Sequence, residues 1–112
     1  EPLYGACKAG LIYLNHTLAL ELGEYGVRLN VVAPGPTPPP SEAFISRGSC
    51  FGMFDRDMLE SVGERFRATI PLRKLATPYD SAHAVLFLAS DVTGRHQTGQ
   101  VLGVDGGWYM PH

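Results

Sequence analysis

A chain of 112 residues is at most one domain of ordinary size, and with 45% hydrophobic and 18% charged residues its composition is globular, not disordered. Its formal net charge of -2 gives no basic footprint for nucleic acid and no polybasic patch for a membrane surface. Two cysteines, Cys7 and Cys50, make neither a disulfide framework nor a metal knuckle, which fits a reducing, cytoplasmic compartment, and no apolar run is long enough to span a bilayer.

The first predicted element is a helix from about Leu3 to Leu22. Leu11, Leu14, Leu18 and Leu22 recur at steps of three and four and predict its packed face, with Ala6, Gly10 and Ala19 as small neighbours that admit another helix. Pro2 stands where a helix start tolerates it; Gly23 and Gly26 close the helix, the second as a left-handed cap. Inside it, Tyr4 and Lys8 are four residues apart and so share one face, one turn apart. An ammonium held near a phenol stabilises the phenolate and makes the phenol a better proton donor, which marks the pair as a candidate for acid–base chemistry. The spacing also arises by chance in many helices, so the pair gains meaning only from the rest of the chain.

Val27 to Val32 reads as a short β-branched strand between Gly26 and Pro34-Gly35. A long helix joined to an apolar strand is half of an α/β unit, and such strands present ligand sites just beyond their carboxyl ends. Ala33-Pro34-Gly35-Pro36-Thr37 falls at that edge: the prolines stiffen it and Gly35 lets backbone approach a ligand. Pro38 to Pro40 continues as an extended spacer, or as a ligand for a proline-binding module, and Ser41 with Glu42 can start a short helix. From Phe44 to Met58, bulky apolar residues lie on a glycine-punctuated stretch. A lid over an apolar ligand and a loose crossover or subunit contact both fit it.

A second helix is predicted over Met58 to Ala68, with Leu59, Val62 and Phe66 on its apolar face. Thr77-Pro78-Tyr79-Asp80 starts a third, whose buried stripe is predicted as Ala82, Val85, Leu86 and Ala89. Gln100 to Val104 reads as a last strand, and Asp105 is expected to fix the Gly106-Gly107 turn behind it. The chain shows no repeat and no internal boundary. His16, His83, His96 and His112 fall at no metal-ligand spacing with one another or with the cysteines, so no metal site is predicted.

The order of motifs closely resembles the C-terminal half of short-chain dehydrogenases/reductases. The resemblance is carried by Tyr4-x-x-x-Lys8, Val27-Arg28-Leu29-Asn30-Val31-Val32-Ala33-Pro34-Gly35, Ile70-Pro71-Leu72-Arg73, Thr77-Pro78-x-Asp80, Phe87-Leu88-Ala89-Ser90-Asp91 and Thr98 to Gly107. It covers nearly the whole chain, and the six motifs in this order are far more specific than any one alone. It implies an α/β fold, the C-terminal part of a Rossmann-like doubly wound parallel sheet, with two strands and three to four helices in this chain. It implies NAD or NADP as cofactor and hydride transfer between it and a small alcohol or carbonyl substrate. Tyr4 matches the general acid/base and Lys8 the lysine that binds the nicotinamide ribose and favours the phenolate. Pro34, Gly35, Pro36 and Thr37 match the loop that reaches the nicotinamide carboxamide.

Two departures stand out. Cys7 replaces a frequent serine and is expected to be a small buried side chain, and Pro39 stands where relatives often have a threonine, so that a hydroxyl contact to the cofactor is either missing or supplied by Thr37. Residues 1–112 are expected to be the C-terminal half of one Rossmann-like domain, with 38–69 as its variable substrate loop. The family's glycine-rich phosphate loop, the residue choosing between NAD and NADP, the catalytic serine and its asparagine all belong upstream. The chain is therefore expected to work as a homo-oligomer, dimer or tetramer, or paired with the missing N-terminal half, and to be inactive alone. The alternative expectation is a non-catalytic family member serving as an interaction module. Trp108 and Tyr109 are expected either at a neighbour's pocket or against the chain's own core.

Overall fold

A computed structural model of the chain describes residues 2–39, 45, 52 and 55–109. Among them the elements are α1 (Pro2–Leu22), a 3-10 turn (Gly23–Tyr25), β1 (Val31–Pro34), α2 (Arg56–Thr69), α3 (Pro78–Ala89) and β2 (Val101–Val104). β1 and β2 form a two-stranded sheet. The Val31 N–H donates to the Gln100 carbonyl at 2.9 Å and the Gly35 N–H to the Val104 carbonyl at 3.1 Å. Partners advance together in both strands, so the pair is parallel. The chain divides into two compact units, Glu1–Ala33 with His83–Leu102, and Pro34–Ala82 with Gly103–His112.

In the first unit α1 packs through small residues. Asn15 and Ala19 are its buried positions; the Ala19 methyl lies against Gly99 and the Asn15 Nδ2 donates to the Gln100 carbonyl at 3.5 Å. The predicted leucine stripe holds at its C-terminal half only: Leu18 and Leu22 are half-buried, but Leu11 and Leu14 are exposed and Ile12 is half-buried instead. α1 is apolar on several sides, so periodicity alone does not choose its packed face. α3 also departs from its predicted stripe, with Leu88 buried and Ala82, Val85, Leu86 and Ala89 exposed. Cys7, expected to be buried, is exposed. Gly26 closes the first helical segment in the left-handed region, as predicted.

The strand reading also shifts. Residues 27–30 are not strand, because their partners are side chains and turns. The Leu29 N–H donates to Thr98 Oγ1, the Asn30 Nδ2 to the Gln97 carbonyl, and the Asn30 Oδ1 accepts from the Gln100 N–H. Arg28 reaches the end of α3, donating to the carbonyls of Leu88 at 2.5 Å and Gly94 at 2.9 Å. These bonds hold the lead-in to β1 before the ladder begins.

In the second unit α2 starts from Asp55, whose carboxylate accepts from the Met58 N–H at 2.8 Å, one turn before the predicted start. Leu59, Val62 and Phe66 are half-buried as expected, and the Phe66 and Trp108 rings meet edge to face at 5.6 Å. Trp108 thus packs on the chain's own α2, while Tyr109 stays exposed. At the start of α3 the Thr77 N–H and hydroxyl both donate to the Asp80 carboxylate at 2.7 Å, as the motif predicted.

Ile70 is buried to 1% exposure and meets the turn behind β2. Gly106 has φ +66, and a Cβ there would lie 2.7 Å from the Ile70 Cγ2. Gly106→Ala combines left-handed backbone with overpacking and is expected to destabilise the fold by about 2–4 kcal/mol, read from the denaturant midpoint of the whole protein. A loss below about 0.5 kcal/mol would mean that the turn repacks freely around a methyl group.

Candidate active site

The helical register of α1 brings Tyr4 and Lys8 together, with the Lys8 Nζ 5.4 Å from the Tyr4 ring centroid. Both side chains are exposed, Tyr4 at 60%. The ammonium lies over the face of the ring, a cation–π contact worth about 0.5–1 kcal/mol when exposed. Among the described residues, neither the Tyr4 hydroxyl nor the Lys8 ammonium has a hydrogen-bond partner, so both are available to a ligand. The pair is held by one helix and needs no other element for its geometry.

The loop of Pro34, Gly35, Pro36 and Thr37 belongs to the second unit and follows directly from β1. Its course is set by four contacts. Besides the Gly35 N–H bond to Val104, the Pro36 carbonyl accepts from the Ala76 N–H at 3.2 Å, and the Thr37 hydroxyl donates to the Gly35 carbonyl at 2.9 Å. The fourth is steric: a Cβ on Gly35 would lie 2.7 Å from the Asp105 Cα. The sequence suggested that Gly35 makes room for a ligand; in the structure it makes room for the chain's own backbone. The Thr37 hydroxyl turns back onto the loop. Its backbone N–H has no acceptor among the described residues.

Asp105 is the residue here whose part sequence reasoning understated. Its Oδ1 accepts from the Gly107 N–H and its Oδ2 from the Tyr109 N–H, both at 2.9 Å, which fixes the turn as expected. Contact with Gly35 ties that turn to the loop, and no local pattern in the sequence announces it. The turn also borders a cavity of about 550 Å3 whose other walls include Leu72, Leu75, Lys74 and Asp80. Gly106 and Gly107 hold no phosphate cradle, because the Ile70 side chain and the Pro71 ring occupy the space in front of them.

The middle of the predicted 38–69 substrate loop, including Phe44, Cys50, Phe51, Met53 and Phe54, lies outside the described residues, as does His112. His16 and His83 are exposed on their helices, and no three His, Cys, Asp or Glu side chains among the described residues gather into a metal-ligand set. No described helix is long and apolar enough to cross a membrane.

Residues 1–109 match the family described as enoyl-(acyl carrier protein) reductase. The vibriobactin-specific 2,3-dihydro-2,3-dihydroxybenzoate dehydrogenase of Vibrio cholerae serotype O1 is 40% identical over 109 residues, which is 97% of this chain and 40% of that protein. The 2,3-dihydro-2,3-dihydroxybenzoate dehydrogenase of Escherichia coli K12 is 41% identical over 106 residues, 93% of this chain and 40% of that protein. A crystal structure of a short chain dehydrogenase from Bacillus anthracis superposes with a TM-score of 0.69 at 29% identity, over 95% of this chain and 34% of that one. The chain therefore spans about 40% of the length of the two curated relatives. With two parallel strands and three α-helices among its described residues, as part of a Rossmann-like α/β fold, the chain belongs to the short-chain dehydrogenase/reductase family.

Proposed function

We propose that this chain is part of an NAD- or NADP-dependent oxidoreductase that moves a hydride between the nicotinamide and an alcohol or carbonyl substrate. The observation that carries the reading is the Tyr4–Lys8 pair on one face of α1, in a chain of this family. In the reducing direction the Tyr4 hydroxyl gives its proton to the carbonyl oxygen; in the oxidising direction the phenolate takes the proton of the alcohol. The Lys8 N–H donors suit the ribose hydroxyls.

Each unit by itself offers donors of the kind that the nicotinamide end of the cofactor takes. Lys8 offers an uncommitted ammonium, and the loop offers the Thr37 N–H, a donor suited to a carboxamide oxygen. Pro34, Gly35 and Pro36 hold that amide in place. When bound, the nicotinamide supplies or accepts the hydride. With Gly106 and Gly107 filled by neighbouring side chains, the diphosphate needs a site beyond these residues, and the 112-residue chain alone is expected to show no turnover. The working form is a cytoplasmic assembly, either a homo-oligomer or this chain joined to further polypeptide. The exposed apolar residues of α1 and α3 support such pairing.

The test is direct. The whole protein is mixed with NADH or NADPH and a panel of carbonyl compounds, or with the oxidised cofactors and alcohols. The cyclic dihydroxy acid named in the two relatives heads the second panel. Cofactor-dependent change in nicotinamide absorbance with one substrate is expected; no dinucleotide binding and no turnover in either direction would overturn the reading.

A further inference from the structure

We propose that Asp105 is a positioning residue for the nicotinamide: it sets the placement of the 34–37 loop without touching cofactor or substrate. The inference rests on the reading of that loop as the nicotinamide-binding one. The two backbones are in contact. A Cβ on Gly35 would stand 2.7 Å from the Asp105 Cα, 2.8 Å from its Cβ and 3.3 Å from its carbonyl oxygen. One residue earlier, the Val104 carbonyl takes the Gly35 N–H. A displacement of Asp105 is therefore transmitted to Gly35 with little compliance, because backbone cannot rotate out of the way as a side chain can.

What holds Asp105 is its own carboxylate. Each oxygen takes one amide of the following turn, from Gly107 and from Tyr109, and the Asp105 carbonyl takes the Trp108 N–H at 3.2 Å. Both side-chain oxygens point into the turn, which leaves the residue no direct role in proton transfer. Residues 72–76 tie the same two pieces together from another direction. The Leu72 N–H donates to the Gly106 carbonyl and the Ala76 N–H to the Pro36 carbonyl, both at 3.2 Å. Loop and turn thus form one braced unit in which Thr37, two residues past the contact, keeps a backbone N–H that has no acceptor among the described residues. Without the carboxylate, the Gly107 and Tyr109 amides lose their acceptor, the turn relaxes, and the surface against which Gly35 rests moves.

The test compares two probes in the whole protein. The dinucleotide carries the nicotinamide; ADP-ribose, or its 2′-phosphate if the enzyme uses NADP, lacks it. In Asp105→Ala the dissociation constant of the dinucleotide is expected to rise on the order of tenfold, the scale of a small misplacement at a binding group. That of the ADP-ribose probe is expected to stay within about twofold, less than the factor of ten that 1.4 kcal/mol represents. Asp105→Asn keeps one acceptor oxygen and is expected to fall between wild type and alanine; it carries the comparison if the alanine variant does not fold. Equal losses for both probes would show a general structural role and overturn the proposal, as would unchanged affinity for both. If the wild-type protein binds no dinucleotide, the functional reading fails and this proposal with it. Normal wild-type binding with an unaltered ratio in the variants overturns this proposal alone.

Discussion

Tyr4→Phe in the whole protein is expected to lower kcat by about 10²- to 10⁴-fold, the contribution of a positioned general acid, with dinucleotide affinity nearly unchanged. The substitution removes one hydroxyl and leaves the ring, so the contact with Lys8 survives. Tyr4 is exposed and its hydroxyl bonds to nothing among the described residues, so fold stability should not change beyond about 0.5 kcal/mol. A loss of turnover with intact folding and binding therefore isolates the proton. Turnover within about twofold of wild type would mean that another group carries the proton, well below the smallest effect expected of a general acid. Lys8→Met is the companion variant. It removes the charge but keeps an apolar stem, and is expected to weaken both dinucleotide binding and turnover.

A large stability effect is expected at Arg28. Its guanidinium donates to the Leu88, Gly94 and Gln97 carbonyls through one nitrogen and to the Ala89 carbonyl through the other, at 2.5 to 3.4 Å. Two of these carbonyls lie at the C-terminal end of α3, where the helix leaves acceptors unpaired and a cation is favoured. The same side chain lies 3.5 Å from Asp91, but Asp91 is 97% exposed. Water screens that ion pair, so it contributes about 0–1 kcal/mol. Arg28→Ala is expected to destabilise the fold by about 3 kcal/mol, because charge-assisted bonds to carbonyls are lost and the acceptors are left behind. Asp91→Asn is expected to cost less than about 1 kcal/mol. Denaturant melts of both variants check the contrast, and equal losses would mean that the ion pair, not the carbonyl cluster, is what stabilises.

Several parts of the fold were legible in the sequence because they depend on neighbours along the chain. The Thr77–Asp80 start of α3, the Gly26 cap and the Asp105 turn are all closed within a few residues. The Tyr4–Lys8 juxtaposition is of the same kind, since one helical turn produces it. The packed face of α3, and that of the first half of α1, differ from the predicted ones for a common reason. Each helix is apolar on several sides, so the buried residues are chosen by what lies opposite. Opposite α1 lies the lead-in to β2, which approaches closely enough to admit Ala19 and Asn15 but leaves Leu11 and Leu14 exposed. The start of β1 moved for a related reason: Arg28 and Asn30 are committed to carbonyls more than sixty residues away, a distance no local pattern spans.

By itself, the sequence determined the order of the elements, the motif series that marks the family, and the pairing of a phenol with an ammonium on one helix face. Each follows from local spacing and from the conformational limits of proline and glycine. Only the tertiary structure decided that Gly35 yields space to Asp105, that Gly106 and Gly107 face Ile70 and Pro71, and that the Thr37 hydroxyl turns back on its own loop. Those facts come from close approach between segments distant in sequence, where a fraction of an ångström decides whether a Cβ fits. The pair proposed for acid–base chemistry is thus written in the helix, and the bracing of the loop proposed to meet the nicotinamide is a product of packing.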